Sequence, residues 1–131
     1  MVSRLTLGVL VAVAFLGCKG PTSLSDNIVE MLSGTVQPGQ SDVKTFNITN
    51  TGELNITLTA LSGSTAVGIG YGQTVSAGNC GIVQQRAVNN SSIGQTVFAD
   101  AIYIKGQYCT VVFDGGSLTT AQNYTLRVSH P

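Results

Sequence analysis

The most regular pattern in the chain lies at Glu53–Ala60, where Leu54, Ile56, Leu58 and Ala60 alternate with Asn55, Thr57 and Thr59. A period of two cannot gather the apolar set on one side of a helix. In a strand it puts the whole set on one face, so this segment reads as a half-buried β-strand with Ala60 inward. Comparable runs recur on either side, punctuated by Gly, Pro, Asn and Ser. Ile28–Val36 leads into the turn Gln37-Pro38-Gly39-Gln40. Asp42–Thr49 puts Phe46 and Ile48 on one face and ends at Asn50-Thr51-Gly52, where Asn and Gly tolerate the left-handed backbone of a tight turn. Thr65–Tyr71 aligns Val67, Ile69 and Tyr71 but is interrupted by Gly68 and Gly70. Cys80–Arg86 and Gln95–Phe98 are weaker strands. Ala101–Asp114 is the densest aromatic and β-branched run of the body of the chain. Lys105 and Gly106 divide it into Ala101–Ile104 and Gln107–Asp114, a central strand pair. In the second of these Cys109, Val111 and Phe113 share one parity and are expected to face the core. Gly115-Gly116-Ser117 then turns the chain into a last strand with Tyr124, Leu126 and Val128 inward. No stretch after residue 27 carries a helical period. The expected fold is all-β, an antiparallel β-sandwich, jelly-roll-like, of about eight short strands.

Ahead of residue 28 the pattern changes. Arg4 is followed by Leu5–Gly17, thirteen residues without a charge. A helix needs roughly 20 apolar residues to span a hydrocarbon core, so this run suits the apolar region of a secretory signal instead. It closes on Phe15-Leu16-Gly17-Cys18, which resembles the lipobox of bacterial lipoproteins. That resemblance implies cleavage before Cys18 and acylation of its thiol and new amino group. Each buried methylene of the acyl chains then contributes about 0.8 kcal/mol to membrane attachment. Lys19–Asn27 is polar, contains Gly and Pro, and reads as a tether. Residues 1–17 are therefore read as a lipoprotein signal peptide, 18–27 as lipidated cysteine and tether, and 28–131 as the sandwich domain. Lys19, rather than Asp, after the cysteine implies outer-membrane sorting by resemblance to enterobacterial lipoproteins, if the cell is Gram-negative.

Composition narrows the partners. Six Lys plus Arg balance six Asp plus Glu, charged residues make up 9% of the chain, and there is no Trp. Loss of Arg4 with the signal leaves five basic residues, too few for a basic field, which disfavours nucleic acid. Surface polarity must come from Ser, Thr, Asn, Gln and Gly, as is usual in extracytoplasmic β-proteins.

Of three cysteines, one is left over if two pair, and lipidation of Cys18 accounts for it. Cys80 and Cys109 are expected to form a disulfide, since exported domains oxidise such pairs. Closing a loop of 29 residues stabilises by about 3.5 kcal/mol through chain entropy. A catalytic cysteine would need a base, and the one histidine, His130, lies beside the last residue, where fraying is expected to rob it of the rigidity a Ser-His-Asp arrangement requires. Gly68-Ile-Gly70-Tyr-Gly72 lacks the lysine and the helix of a phosphate loop and reads as a bulge or close sheet packing. Asp26, Glu30, Asp42, Asp100 and Asp114 follow no calcium-loop spacing and read as solvated loop carboxylates, Asp114 as a turn former. No metal or cofactor is expected. Glycosylation acceptor patterns start at Asn47, Asn55, Asn89, Asn90 and Asn123, which keeps a glycosylated secreted binding protein open as an alternative. Of Tyr71, Tyr103, Tyr108 and Tyr124, most are expected in the core, which leaves little for an aromatic sugar platform.

The order Leu32-Ser-Gly-Thr-Val36, Pro38-Gly39, Asp42-Val-Lys-Thr-Phe-Asn-Ile48 and Gly52-Glu-Leu-Asn-Ile-Thr-Leu58, followed by Gly106-Gln-Tyr-Cys-Thr-Val-Val-Phe-Asp114 and Asn123-Tyr-Thr-Leu-Arg-Val128, resembles the bacterial pre-peptidase C-terminal domain. The likeness runs from Leu32 to the C-terminus and implies a small jelly-roll-like sandwich. Members of that family are usually appended to exported enzymes, whereas no attached enzyme is expected here, and the Cys80, Cys109 pair is not a family mark. The expected protein is a non-enzymatic exported lipoprotein, a binding or scaffolding module at the cell envelope with a protein or polysaccharide partner. A self-assembling structural subunit is the alternative.

Overall fold

A computed structural model describes residues 26–131, and of residues 83–85 the backbone alone. The expected signal peptide and the lipidation site at Cys18 lie outside the described residues. Eight strands succeed one another in chain order: β1 (Ile28–Val36), β2 (Ser41–Ile48), β3 (Gly52–Leu61), β4 (Val67–Ser76), β5 (Asn79–Ser91), β6 (Thr96–Ile102), β7 (Gly106–Phe113) and β8 (Gln122–His130). They form two four-stranded sheets, ordered β1-β8-β3-β6 and β2-β7-β4-β5, with antiparallel neighbours throughout. The fold is an all-β sandwich. Only β4 and β5 form a hairpin of consecutive paired strands; every other connection carries the chain from one sheet to the other. The β2–β3 connection at 49–51 is one such crossing, and it corrects the expected left-handed turn: neither Asn50 nor Gly52 has positive φ, because the chain passes between sheets instead of folding back as a hairpin and Gly52 already begins β3.

This topology sorts the connections onto two ends. The register Ile28↔His130, Gly52↔Ile102, Ile48↔Gly106 and Gln73↔Tyr108 brings together the start of β1, the β2–β3 turn, the tip of the β4–β5 hairpin, the β6–β7 turn and the C-terminus. We call this the tether end, because the chain from Cys18 arrives there. The other four connections lie at the far end. Asn27, expected as the last residue of a loose tether, is fixed to the fold: its side-chain amide donates to Glu53 O at 2.7 Å and to Ser129 Oγ at 3.2 Å.

The core lies between the sheets and draws Leu54, Ile56 and Leu58 from β3 and Tyr124, Leu126 and Val128 from β8. Against them pack Val67, Ile69 and Tyr71 from β4, and Phe46 and Ile48 from β2. Ala60 departs from the expected inward set and is exposed, because the β3–β8 register slips between Leu58 and Ala60. Such a bulge inserts one residue and reverses the facing of the positions beyond it. The segment Ala101–Ile104 is not a strand of its own. Ala101 and Ile102 end β6, an edge strand of one sheet, and Tyr103, Ile104 and Lys105 form an exposed turn into β7 in the other.

The facing of β7 also corrects the sequence reading. Tyr108 and Val112 join the core cluster, so Cys109, Val111 and Phe113 take the outer face. Parity could not decide this, because β7 is covered on both sides. Its outer residues stand opposite Gly72, Gly70 and Gly68 of β4. A Cβ on Gly68 would sit 2.2 Å from the Phe113 ring, and one on Gly72 would sit 2.1 Å from Gly81 O. The missing side chains therefore let the Phe113 ring lie over Gly68 and the Gly81 carbonyl come close to Gly72. The register shifts of β4 against β5 at Val67/Ile69 and Gly70/Gly72 fall at the same glycines, so bulge and close packing are both present.

Candidate functional site

The tether end holds a cleft of about 270 Å³. Its floor is Ile102 and Tyr108, both buried. One wall is the β6–β7 turn with Tyr103 and Ile104, and the other is β4 and β5 with Gln73, Gly81 and Arg86. Tyr108 locks the floor, donating from its hydroxyl to Ile104 O at 2.9 Å and accepting from Gln73 Nε2 at 3.3 Å. Arg86 closes the back, its guanidinium carbon 5.1 Å from the centre of the Tyr71 ring. Cation–π contact of this kind is worth about 0.5–2 kcal/mol, rising with desolvation. Tyr71 packs edge-on against Phe98 with ring centres 4.9 Å apart and donates a hydrogen bond to Asp100. Burial, and then the hydrogen bond to the Asp100 carboxylate, push the Tyr71 phenol far above its ordinary range. The group is thus a neutral donor, not an acid.

The cleft is clasped by the disulfide. Cys80 and Cys109 are bonded, with Cα atoms 5.6 Å apart. Cys80 stands opposite Thr74 and Cys109 opposite Gly72, so the bridge ties β5 to β7 across β4. Cys109 Sγ lies 3.4 Å from Gly72 O. Gly81, next to Cys80, is thereby held against the sheet.

His130 is not frayed. It is buried within β8, donates from Nε2 to Glu30 Oε1 at 2.8 Å and packs on Phe46 at 5.3 Å between ring centres. Its hydrogen-bonding partners are Glu30 and the Pro131 carbonyl, so it braces β1 against β8. Four of the carboxylates read as solvated loop groups are engaged in the same way. Asp100 accepts from Tyr71, and Glu30 from His130. Asp42 accepts from the Tyr124 hydroxyl at 2.9 Å and lies 3.2 Å from Lys44 Nζ. Asp114 accepts backbone N–H groups of Gly39, Gly116, Ser117 and Leu118 at 2.8–3.0 Å. The Gly39 bond, followed by those of Leu118, Gly116 and Ser117, lowers its carboxyl to about 2, against partial opposition from desolvation. Asp114 is thus the turn former expected, and it also stitches the β1–β2 turn to the β7–β8 loop. Among the described residues no three His, Cys, Asp or Glu side chains converge as a metal site.

Of the tyrosines, Tyr71, Tyr108 and Tyr124 are buried and Tyr103 is 78% exposed. The acceptor asparagines 47, 89, 90 and 123 are exposed, while Asn55 is half-buried and bonded to Glu53. Sequence reasoning missed Arg86 and Gln73 and read Asp100 as a solvated loop carboxylate; the partners of Gln73 and Asp100 lie 29 or more residues distant along the chain. A smaller cleft of about 210 Å³, lined by Leu61, Ser62 and Tyr124, lies at the far end. No family model matches the chain, and no curated protein matches it.

Proposed function

We propose that the protein is an exported lipoprotein, anchored through acylated Cys18, whose sandwich acts as a non-enzymatic binding module at the cell envelope. The observation that carries the proposal is the Cys80–Cys109 bridge on the outer face of the sheet, with Cys109 fully buried, since such cross-links persist in oxidising compartments. A helix-free domain reached by a short polar segment fits a module held near a membrane. The open cleft beside Tyr103 is where a polysaccharide or protein of the envelope would be engaged, and the acyl chains on Cys18 bring the membrane itself as the first partner. Kinship with the pre-peptidase C-terminal domain is part of this proposal and rests on the two-sheet architecture together with the strand motifs from Leu32 onward. Self-assembly is a second reading. It is favoured by β1, a sheet edge with exposed Val29 and Met31 to which another strand can add.

Mass spectrometry of the native N-terminus tests the anchor: an acylated Cys18 is expected, and an unacylated start elsewhere would overturn it. Size-exclusion chromatography at high concentration tests the second reading, which a strictly monomeric species would refute.

A further inference from the structure

We infer that the tether end of the sandwich is itself a membrane-docking surface that rests on the lipid headgroups beside the anchor. The inference builds on the lipoprotein reading but concerns a different contact. It comes from where the exposed apolar side chains lie. Among the described residues the large exposed ones are Ile28, Val29, Met31, Val75, Tyr103 and Ile104, with Ile93 apart from them. The strand register puts Val75 in the tip of the β4–β5 hairpin, Tyr103 and Ile104 in the β6–β7 turn, and Ile28 and Val29 at the start of β1. All five of these are at the tether end, and Met31 comes a few residues along β1. Only Ile93 belongs to a far-end turn.

The surface is broad. β1 and β6 are opposite edges of one sheet, three strand spacings or about 14 Å apart, and the second sheet adds about 10 Å of depth. Apolar groups rim the end on both sides, whereas the far-end connections, 37–40, 62–66, 92–95 and 114–121, are built mostly of Gly, Ser, Thr and Gln, with Ile93 their one large exposed apolar side chain.

Charge agrees with a lipid occupant. Lys105 directly follows Ile104 in the projecting turn and makes no ion pair among the described residues. Of the carboxylates at this end, Glu30 accepts from His130 and Glu53 from Asn55, while Asp26 is exposed where the described fold begins. A tyrosine ring, two aliphatic side chains and a lysine on adjoining turns is the composition that settles at a headgroup boundary, rings in the interface and ammonium at the phosphates. The remaining chain decides between lipid and another protein. Residues 1–25 precede the described fold, carry the apolar run and Cys18, and join the domain at this end, so an acylated Cys18 would link this end to the bilayer through residues 19–27 alone.

The absence of Trp makes the test clean. Tyr103→Trp and Ile93→Trp report separately on the two ends, and both positions are exposed, so neither substitution burdens the core. The full-length protein is reconstituted into vesicles of phosphatidylethanolamine and phosphatidylglycerol doped with bromine-substituted phosphatidylcholine, a short-range quencher. Tryptophan at 103 is expected to shift to the blue and to be quenched severalfold more than tryptophan at 93. Adding Val75→Asp and Ile104→Asp should abolish that difference while the protein still sediments with the vesicles. Equal, weak quenching at both positions in vesicle-bound protein would overturn docking and leave the lipid anchor intact. A blue shift at 103 that grows with protein concentration in the absence of lipid would overturn it in favour of a second copy of the chain. If no acyl chain is found on Cys18, the lipoprotein reading fails on its own. Docking is then decided by titrating vesicles against the residue 103 reporter, and flat emission refutes it.

Discussion

Removing the Cys80–Cys109 bridge and, separately, adding one methyl group beneath it should reveal a clasp whose two halves are strongly coupled. Cys80→Ala with Cys109→Ala releases a loop of 29 residues, which chain entropy values at about 3.5 kcal/mol. Against a total of about 5–15 kcal/mol for a domain of this size, that is a large share. Gly72→Ala acts on the same place from the other side. Its Cβ would stand 2.1 Å from Gly81 O, and carbon and oxygen do not settle closer than about 3.3 Å, so Gly81 must retreat by about 1 Å. With the bridge closed, Cys80 holds its neighbour Gly81 in place, and the cost should lie near the upper end of overpacking, about 3 kcal/mol. With the bridge removed, the start of β5 can lift, and the same methyl should cost about 1 kcal/mol. The coupling is then about 2 kcal/mol.

Urea denaturation of the four proteins in the cycle measures it. The alanine pair should also raise the slope of stability against urea, because an uncrosslinked unfolded chain exposes more surface. Additivity to within about 0.5 kcal/mol would refute the argument, since it would mean that Gly81 is held by something other than the bridge.

The polar contacts set three further outcomes. The Asp114 carboxyl is depressed to about 2 from an ordinary 3.8, so its contribution is complete above pH 4 and is lost as pH falls toward 2. Stability measured across that window should fall more steeply in the parent than in Asp114→Asn, and parallel curves would show that the backbone N–H groups do not favour the charged form. The phenols of Tyr71 and Tyr124 are raised by burial and by donation to Asp100 and Asp42. Their stabilisation holds below pH 10 and is lost above it, and in an alkaline titration tracked by phenolate absorbance both should ionise only together with unfolding; smooth ionisation of all four tyrosines in the folded state would contradict it. Gly34→Ala would place a Cβ 1.9 Å from Asp42 Oδ2 and 2.7 Å from the Tyr124 hydroxyl. It should cost about 1–3 kcal/mol, and most of that should vanish in a Tyr124→Phe, Asp42→Ala background if the clash is the cause.

The features legible in the sequence are those that depend on near neighbours. The alternation of β3 determines its facing because one side is solvated, and Ile28–Val36 matches β1 to the residue because Pro38-Gly39 ends it sharply. The pairing of Cys80 with Cys109 is legible from the cysteine count together with the expectation of export. Which side of the sheet the pair occupies is not, because β7 is buried on both faces and its outer cover is a row of glycines on a different strand. The same limit hides Asp100, a residue of an edge strand whose partner Tyr71 is 29 positions away in the opposite sheet. His130 defeats the expectation of fraying for a related reason: position near a terminus says nothing about pairing, and β8 is an interior strand held on both sides by β1 and β3. Most of the candidate site is invisible in the sequence, since Gln73, Arg86, Tyr103 and Tyr108 come to line one cleft only once the sheet crossings sort the turns onto two ends.

The bridge and the proposed docking surface are mechanically linked. Past Gln73, β4 no longer pairs with β7, and the hairpin continues on β4–β5 pairing alone to its tip at Val75–Asn79. A two-stranded ribbon is marginal in water by itself. Cys80 sits one residue into β5 and fixes the ribbon to β7 just short of the tip, so the exposed Val75 is presented by a stiffened arm. Tyr103 and Ile104 are braced in parallel by the Tyr108 hydroxyl bond to Ile104 O. Stiffness has a direct use at an interface, because side chains already held in place lose less conformational entropy when lipid orders them. Cys109, central to stability, therefore also sets the geometry of the tether end. Reduction of the bridge should weaken vesicle docking measured by the residue 103 reporter as well as lower the unfolding midpoint. A reduced protein that is less stable but docks as well as before would separate the two roles and show that the hairpin tip needs no support.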